Sequence, residues 1–175
     1  MDSFKILAAS GITLFVLLVT ATFIMPSEFE IDRSIIINAD KNKITHTLTN
    51  LKTWKEWSFW NKTVDSTLEF NYKGNSAGIG AVQFWEGDYV GYGSIRITDL
   101  NANEFVKYRM SLNDEYITDG MFELLEVSEG TKVRLIERGR LGWNPLFKII
   151  GYFADDLLGN EQEETLKNLK KTIES

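Results

Sequence analysis

Phe105-Val106-Lys107-Tyr108-Arg109-Met110-Ser111-Leu112 puts Val106, Tyr108, Met110 and Leu112 on one face and Lys107, Arg109 and Ser111 on the other. Alternation with a period of two residues marks a half-buried strand. Asn113-Asp114 then turns the chain, because short polar side chains bond their own turn and tolerate left-handed backbone. Tyr116–Val127 and Thr131–Leu141 form the next pair of strands, joined at Ser128-Glu129-Gly130. Strands joined by turns this short run antiparallel, since a parallel neighbour needs a crossover of about a dozen residues or more.

The same pattern extends upstream. Gly91–Leu100 ends at Asn101-Ala102-Asn103, Ile79–Glu86 turns at Gly87-Asp88, and Leu68, Phe70 and Tyr72 alternate with Glu69, Asn71 and Lys73 before Gly74. At the start, Phe29–Ile37 is a strand in which Ile36 breaks the alternation. Asp40 caps a short helix holding Ile44, Leu48 and Leu51, and Thr53 caps an aromatic one with Trp54, Trp57, Phe59 and Trp60. Downstream, Asn144-Pro145 starts a helix, with Asn as cap and Pro at the first helical position. Its apolar stripe runs through Leu146, Ile150, Phe153, Leu157, Leu166, Leu169 and Ile173. The order predicts an α+β fold: an antiparallel sheet of about seven strands wrapped around one long C-terminal helix, with two short helices after the first strand.

Composition narrows the function. The chain has 175 residues and a net charge of -6, which disfavours nucleic acid as a partner. It has no cysteine and one histidine, so disulfides, thiolate chemistry and zinc–thiolate sites are excluded and histidine-based triads are disfavoured. No metal site and no cofactor are expected. His46 lies off the Ile44, Leu48 and Leu51 stripe and reads as solvated, as do Asp155, Asp156, Glu161, Glu163 and Glu164. The glycines at 74, 78, 80, 87, 91 and 93 sit between or at the ends of strands with no helix following, so they read as turns and not as a phosphate loop.

Ile6–Met25 is an uncharged run between Lys5 and Pro26. Such a run is long enough, at ~1.5 Å per residue, to span a ~30 Å hydrocarbon core. It predicts a single-pass anchor over residues 1–26, the alternative being a signal peptide cleaved near Val19-Thr20-Ala21. Residues 27–175 form one domain. Lys5 before the run and Glu28, Glu30 and Asp32 after it favour an extracytoplasmic position for that domain.

Further segments are Arg33-Ser34-Ile35-Ile36-Ile37-Asn38-Ala39, Leu51-Lys52-Thr53-Trp54-Lys55-Glu56-Trp57, Gly80, Trp85-Glu86-Gly87, Gly130-Thr131-Lys132-Val133 and Leu166-Lys167-Asn168-Leu169-Lys170. In these segments and their order the chain resembles the START-like superfamily, also called SRPBCC or polyketide cyclase/dehydrase-like. The resemblance covers about residues 28–174. It implies a helix-grip fold with space between sheet and helix. Some members bind lipids or other apolar molecules there, and some catalyse cyclisation or dehydration. The superfamily has no universal catalytic motif, so no catalytic residue carries over.

The candidate ligand-binding residues are Trp57, Trp60, Trp85, Tyr108, Met110, Phe122, Glu137, Phe147, Ile150 and Phe153. Each apolar one either lines a cavity or fills the core itself. Glu137 is in phase with Val133 and Leu135, so an inward position would put a carboxylate with a raised pKa in an apolar space. Arg33, in phase with Ile31 and Ile35, is the expected partner if the first and last strands pair. The sequence thus predicts a membrane-tethered module that binds a lipid or hydrophobic small molecule. The alternatives are an enzyme using the same cavity, with Glu137 or Tyr108 as acid or base, and an interaction domain filled by its own aromatics.

Overall fold

The computed structural model describes residues 2–114, 116–142 and 145–175, with the side chains of all of these except 2, 3, 14, 18, 21–24, 145–147 and 150. Helix α1 covers Asp2–Ile24 and is followed by β1 (Glu28–Ile37), α2 (Lys41–Thr49) and α3 (Leu51–Trp57). Six strands come next: β2 (Glu69–Gly74), β3 (Ala81–Gly87), β4 (Gly91–Asn101), β5 (Phe105–Leu112), β6 (Tyr116–Val127) and β7 (Gly130–Arg140). Helices α4 (Pro145–Tyr152) and α5 (Ala154–Glu174) end the chain.

The strands form one antiparallel sheet in the order β1-β7-β6-β5-β4-β3-β2. The first strand therefore pairs with the last, with Ile31 opposite Glu137 and Arg33 opposite Leu135. The α+β architecture expected from the sequence is the one observed.

Helix α5 buries Leu166, Leu169 and Ile173 on one stripe. They meet Ile44 and Leu48 of α2, Leu51, Trp54 and Trp57 of α3, and Phe122, Leu124, Val133 and Leu135 of the sheet. Full burial of one such side chain is worth roughly 1.5–3 kcal/mol. The C-terminal end of α5 is also stapled to its surroundings. Lys43 Nζ donates to the Ile173 carbonyl at 2.5 Å, Lys170 Nζ to the Ile36 carbonyl at 2.8 Å, and the Asn38 amide to Glu174 at 2.7 Å.

Local details depart from the expectation. Asp40 does cap α2, accepting from the Lys43 amide at 2.9 Å. The cap of α3 is Asn50, not Thr53, because Asn50 Oδ1 already accepts from the Lys52 amide at 3.2 Å. Helix α3 stops at Trp57, and the Phe59 amide bonds Thr165 Oγ1 at 2.9 Å instead of continuing the helix. The long helix is broken at Phe153, whose φ of -99° and ψ of 11° leave the helical region. The cap expected at Asn144 lies outside the described residues.

Among the described residues, no helix is long and apolar enough to cross a membrane. This overturns the single-pass anchor at Ile6–Met25 and the extracytoplasmic position inferred from it. The run is uncharged and includes Ser10, Gly11, Thr13 and Thr20 among its apolar residues. The Thr13 and Thr20 hydroxyls turn back onto the Ala9 and Val16 carbonyls at 2.9 and 2.8 Å.

Candidate ligand-binding cavity

The large apolar residues of α5 that seal the core lie in its C-terminal half. Towards the N-terminus the same stripe reads Gln162, Gly159 and Ala154. Ala154 and Gln162 leave space unfilled there, while Gly159 lies against the Arg33 guanidinium, and a cavity of about 660 Å³ opens between α5, α3 and the concave face. Trp54, Trp60, Trp85, Tyr108 and Phe122 form much of its wall. Ile95, Met110 and Leu135 add to its apolar lining from the sheet, and Tyr116, Ile117, Leu157 and Leu158 lie at its more exposed edge.

The aromatic wall is tightly interlocked. Trp54 meets Tyr108 and Phe122 edge-on at 5.3 and 5.8 Å, and Trp60 meets Trp85 edge-on at 5.5 Å. These are favourable geometries for ring pairs.

One row of the sheet sets the polar floor. Tyr108 on β5 lies opposite Gly120 on β6, and Gly120 lies opposite Glu137 on β7. A Cβ on Gly120 would overlap the Tyr108 ring. With glycine there, the phenol lies across β6 and its hydroxyl donates to Glu137 Oε1. Gln162 Nε2 donates to Glu137 Oε2 at 2.8 Å from the helix side. Burial pushes the Glu137 carboxyl above the usual carboxylate range, and these two hydrogen bonds pull it back. Burial, and then the adjacent carboxyl, pushes the Tyr108 phenol well above its ordinary value.

A second carboxyl faces the same space. Glu161 accepts from Trp60 Nε1 at 3.2 Å. Burial raises its pKa, the Trp60 hydrogen bond lowers it, and the charge of Glu137 raises it.

Four further polar atoms of the wall are buried without a hydrogen-bond partner among the described residues: Gln83 Oε1, Trp85 Nε1, Thr118 Oγ1 and Gln162 Oε1. Buried polar groups are nearly always paired. All four lie on the wall of the one cavity.

Of the residues singled out from sequence, Trp60, Trp85, Tyr108, Met110, Phe122 and Glu137 lie on the cavity wall. Trp57 lies behind it, fully buried, with its ring 4.8 Å from that of Trp54. Phe153 is 49% exposed at the α4–α5 break. Phe147 and Ile150 belong to the α4 backbone, but their side chains lie outside the described residues. Arg33 does not serve Glu137: it pairs with Asp155 at 2.7 Å and Glu163 at 3.3 Å. Sequence reasoning read Glu161 as solvated, whereas it lines the cavity, and it missed Gln162, Gln83 and Thr118. Two of them carried a signal. Counting back from Leu166 by helical spacing puts Gln162 on the buried stripe, and Gln83 is in phase with Trp85.

The chain matches no family model, and no curated protein is similar to it. Solved structures are similar in shape. SA2116 from Staphylococcus aureus, a protein of unknown function, superposes with a TM-score of 0.63 at 15% identity, covering 84% of this chain and 94% of that one. KanY superposes at 0.62 and 15%, covering 86% and 100%. Ara h 8.0201 superposes at 0.59 and 11%, covering 83% and 97%. The chain has the helix-grip fold. The resemblance to START-like proteins read from its segments is supported as a likeness of fold. In helix-grip terms, the cavity lies between the gripping sheet and the N-terminal half of the gripped helix.

Proposed function

We propose that residues 27–175 form a binding domain for a lipid or another hydrophobic small molecule held between the sheet and α5. The observation that carries this reading is the cavity of about 660 Å³ with its largely aromatic and aliphatic wall. That volume is within the ~300–1,000 Å³ usual for small-molecule sites. An interaction domain filled by its own aromatics would leave no such space.

Native mass spectrometry of the full chain, purified without detergent, tests the proposal when organic extraction of the co-purifying material follows. The expected result is a stoichiometric apolar adduct that is lost in Met110→Trp, which places an indole in the cavity. Retention of the adduct by a folded Met110→Trp variant would count against this site.

A second reading is favoured by the Tyr108–Glu137–Gln162 group. A carboxyl with a raised pKa beside a phenol can move a proton to or from a bound ligand. This reading makes the domain an enzyme of cyclase or dehydratase type. It predicts a turnover of the extracted molecule that Glu137→Gln abolishes while binding survives.

A further inference from the structure

We infer that the preferred ligand carries a basic amine on its apolar body, and that Glu137 and Glu161 receive the ammonium. This deepens the binding reading and rests on it.

The charges of the cavity point this way. Two carboxyl groups face it. Among the described lining residues the basic group is Arg140, which is at the outer edge with its side chain 86% exposed and paired to Glu28 at 3.7 Å. A fatty acid or another anion would bring its charge against two acids with no inner counter-charge. An ammonium would instead relieve the cost of holding carboxylates in an apolar space.

The hydrogen-bonding surplus agrees. Gln83 Oε1 and Gln162 Oε1 are acceptors left open. The oxygens that Glu137 and Glu161 already use each keep a further lone pair. An ammonium supplies donors only, as these acceptors require. The wall adds aromatic faces, Trp54, Trp60, Trp85, Tyr108 and Phe122, and a cation is attracted to such faces. Trp85 Nε1 and Thr118 Oγ1 remain for a second polar group elsewhere on the ligand.

The test uses four probes on one ring system: naphthylethylamine, naphthylethanol, naphthylacetate and ethylnaphthalene, titrated into the full chain at neutral pH. The amine is expected to bind about tenfold more tightly than the alcohol, and the acetate most weakly. Glu161→Gln and Glu137→Gln should each remove most of the amine's advantage over the alcohol while ethylnaphthalene still binds. Binding of ethylnaphthalene by each variant is the control for an intact cavity, and Glu161→Gln, outside the sheet, is the variant less exposed to misfolding.

Acetate binding as tight as the amine's, or an amine-to-alcohol ratio unmoved in the variants, would overturn the inference. If ethylnaphthalene and the alcohol bind and the amine is no better, the inference alone fails. If none of the four binds, the binding reading fails with it.

Discussion

Gly120→Ala should damage this protein far more than adding one methyl group usually does. Gly120 does not have a positive φ, so alanine brings no backbone strain. By residue preference alone, alanine within a strand gains roughly 0.5–1 kcal/mol over glycine. The new Cβ, however, would overlap the Tyr108 ring. That ring is 3% exposed and held between Trp54 at 5.3 Å and Phe122 at 5.7 Å, so it cannot swing freely. Overpacking of this kind costs typically 1–3 kcal/mol. Moving the ring also withdraws the phenol from Glu137. Leaving a buried acceptor unpaired costs about 1–3 kcal/mol more. The net loss should be about 3 kcal/mol, a large part of the 5–15 kcal/mol typical of a domain. Urea unfolding followed by tryptophan fluorescence would read the loss. Carbon NMR of the Glu137 carboxyl gives an independent readout. Its pKa should rise further, because one of the two hydrogen bonds that pull it down is gone. A loss below about 0.5 kcal/mol with an unmoved Glu137 pKa would refute the reasoning from the Tyr108–Gly120–Glu137 row.

Glu137 and Glu161 both have pKa values raised above their ordinary 4.5, so the folded state binds their protons more tightly than the unfolded chain does. Stability should be greatest below that value and fall as pH rises through the elevated folded values. Urea midpoints across this range should show the fall, and the double variant Glu137→Gln/Glu161→Gln should flatten it. Asp65 behaves in the opposite sense. It accepts from Thr67 and from the Tyr89 and Val90 amides at 2.8 and 3.0 Å, which lowers its pKa from 3.8 to about 2. The stability it contributes should be present above pH 3.8 and be lost as pH falls towards about 2, and acid titration by near-ultraviolet circular dichroism of Asp65→Asn should lack that transition. Arg33→Ala removes the pairs to Asp155 and Glu163. These pairs are partly exposed, so global stability should change by less than about 1 kcal/mol, while hydrogen exchange should speed up in the N-terminal half of α5 and not in the C-terminal half.

The fold was legible because its signals are local. Alternation in Phe105–Leu112 and the short turns on either side determine an antiparallel meander without any knowledge of distant contacts. The site was legible only in part. Glu137 could be placed inside from its phase with Val133 and Leu135, and β7 does bury those two. Its partner could not be read in the same way. Register across three strands joins Tyr108 to Glu137 through a glycine, and phase along one strand carries no information about what lies opposite. Arg33 was a reasonable candidate from strand pairing, yet it is opposite Leu135 and turns to α5. The helix misled for a different reason. Treated as one continuous element, it puts Phe153 and Leu157 on the same stripe as Leu166. The break at Phe153 starts α5 afresh, so Phe153 and Leu157 are exposed and Gly159 and Gln162 take the buried face.

That change of face accounts for the division of labour within the domain. The C-terminal half of α5 contributes Leu166, Leu169 and Ile173 to a core closed by α2, α3 and the sheet, and hydrogen bonds from Lys43 and Lys170 hold its end. Stability is concentrated there. The N-terminal half gives up that packing: Ala154 and Gln162 line the cavity where large apolar residues would otherwise fill the space, and Gly159 makes room for the Arg33 guanidinium. Each omitted leucine forgoes roughly 1.5–3 kcal/mol of burial, and two carboxyl groups add the cost of their desolvation. The cost is tolerable because the opposite end of the same helix is so well anchored, and a ligand that fills the space and pairs the open polar atoms would return it as binding energy.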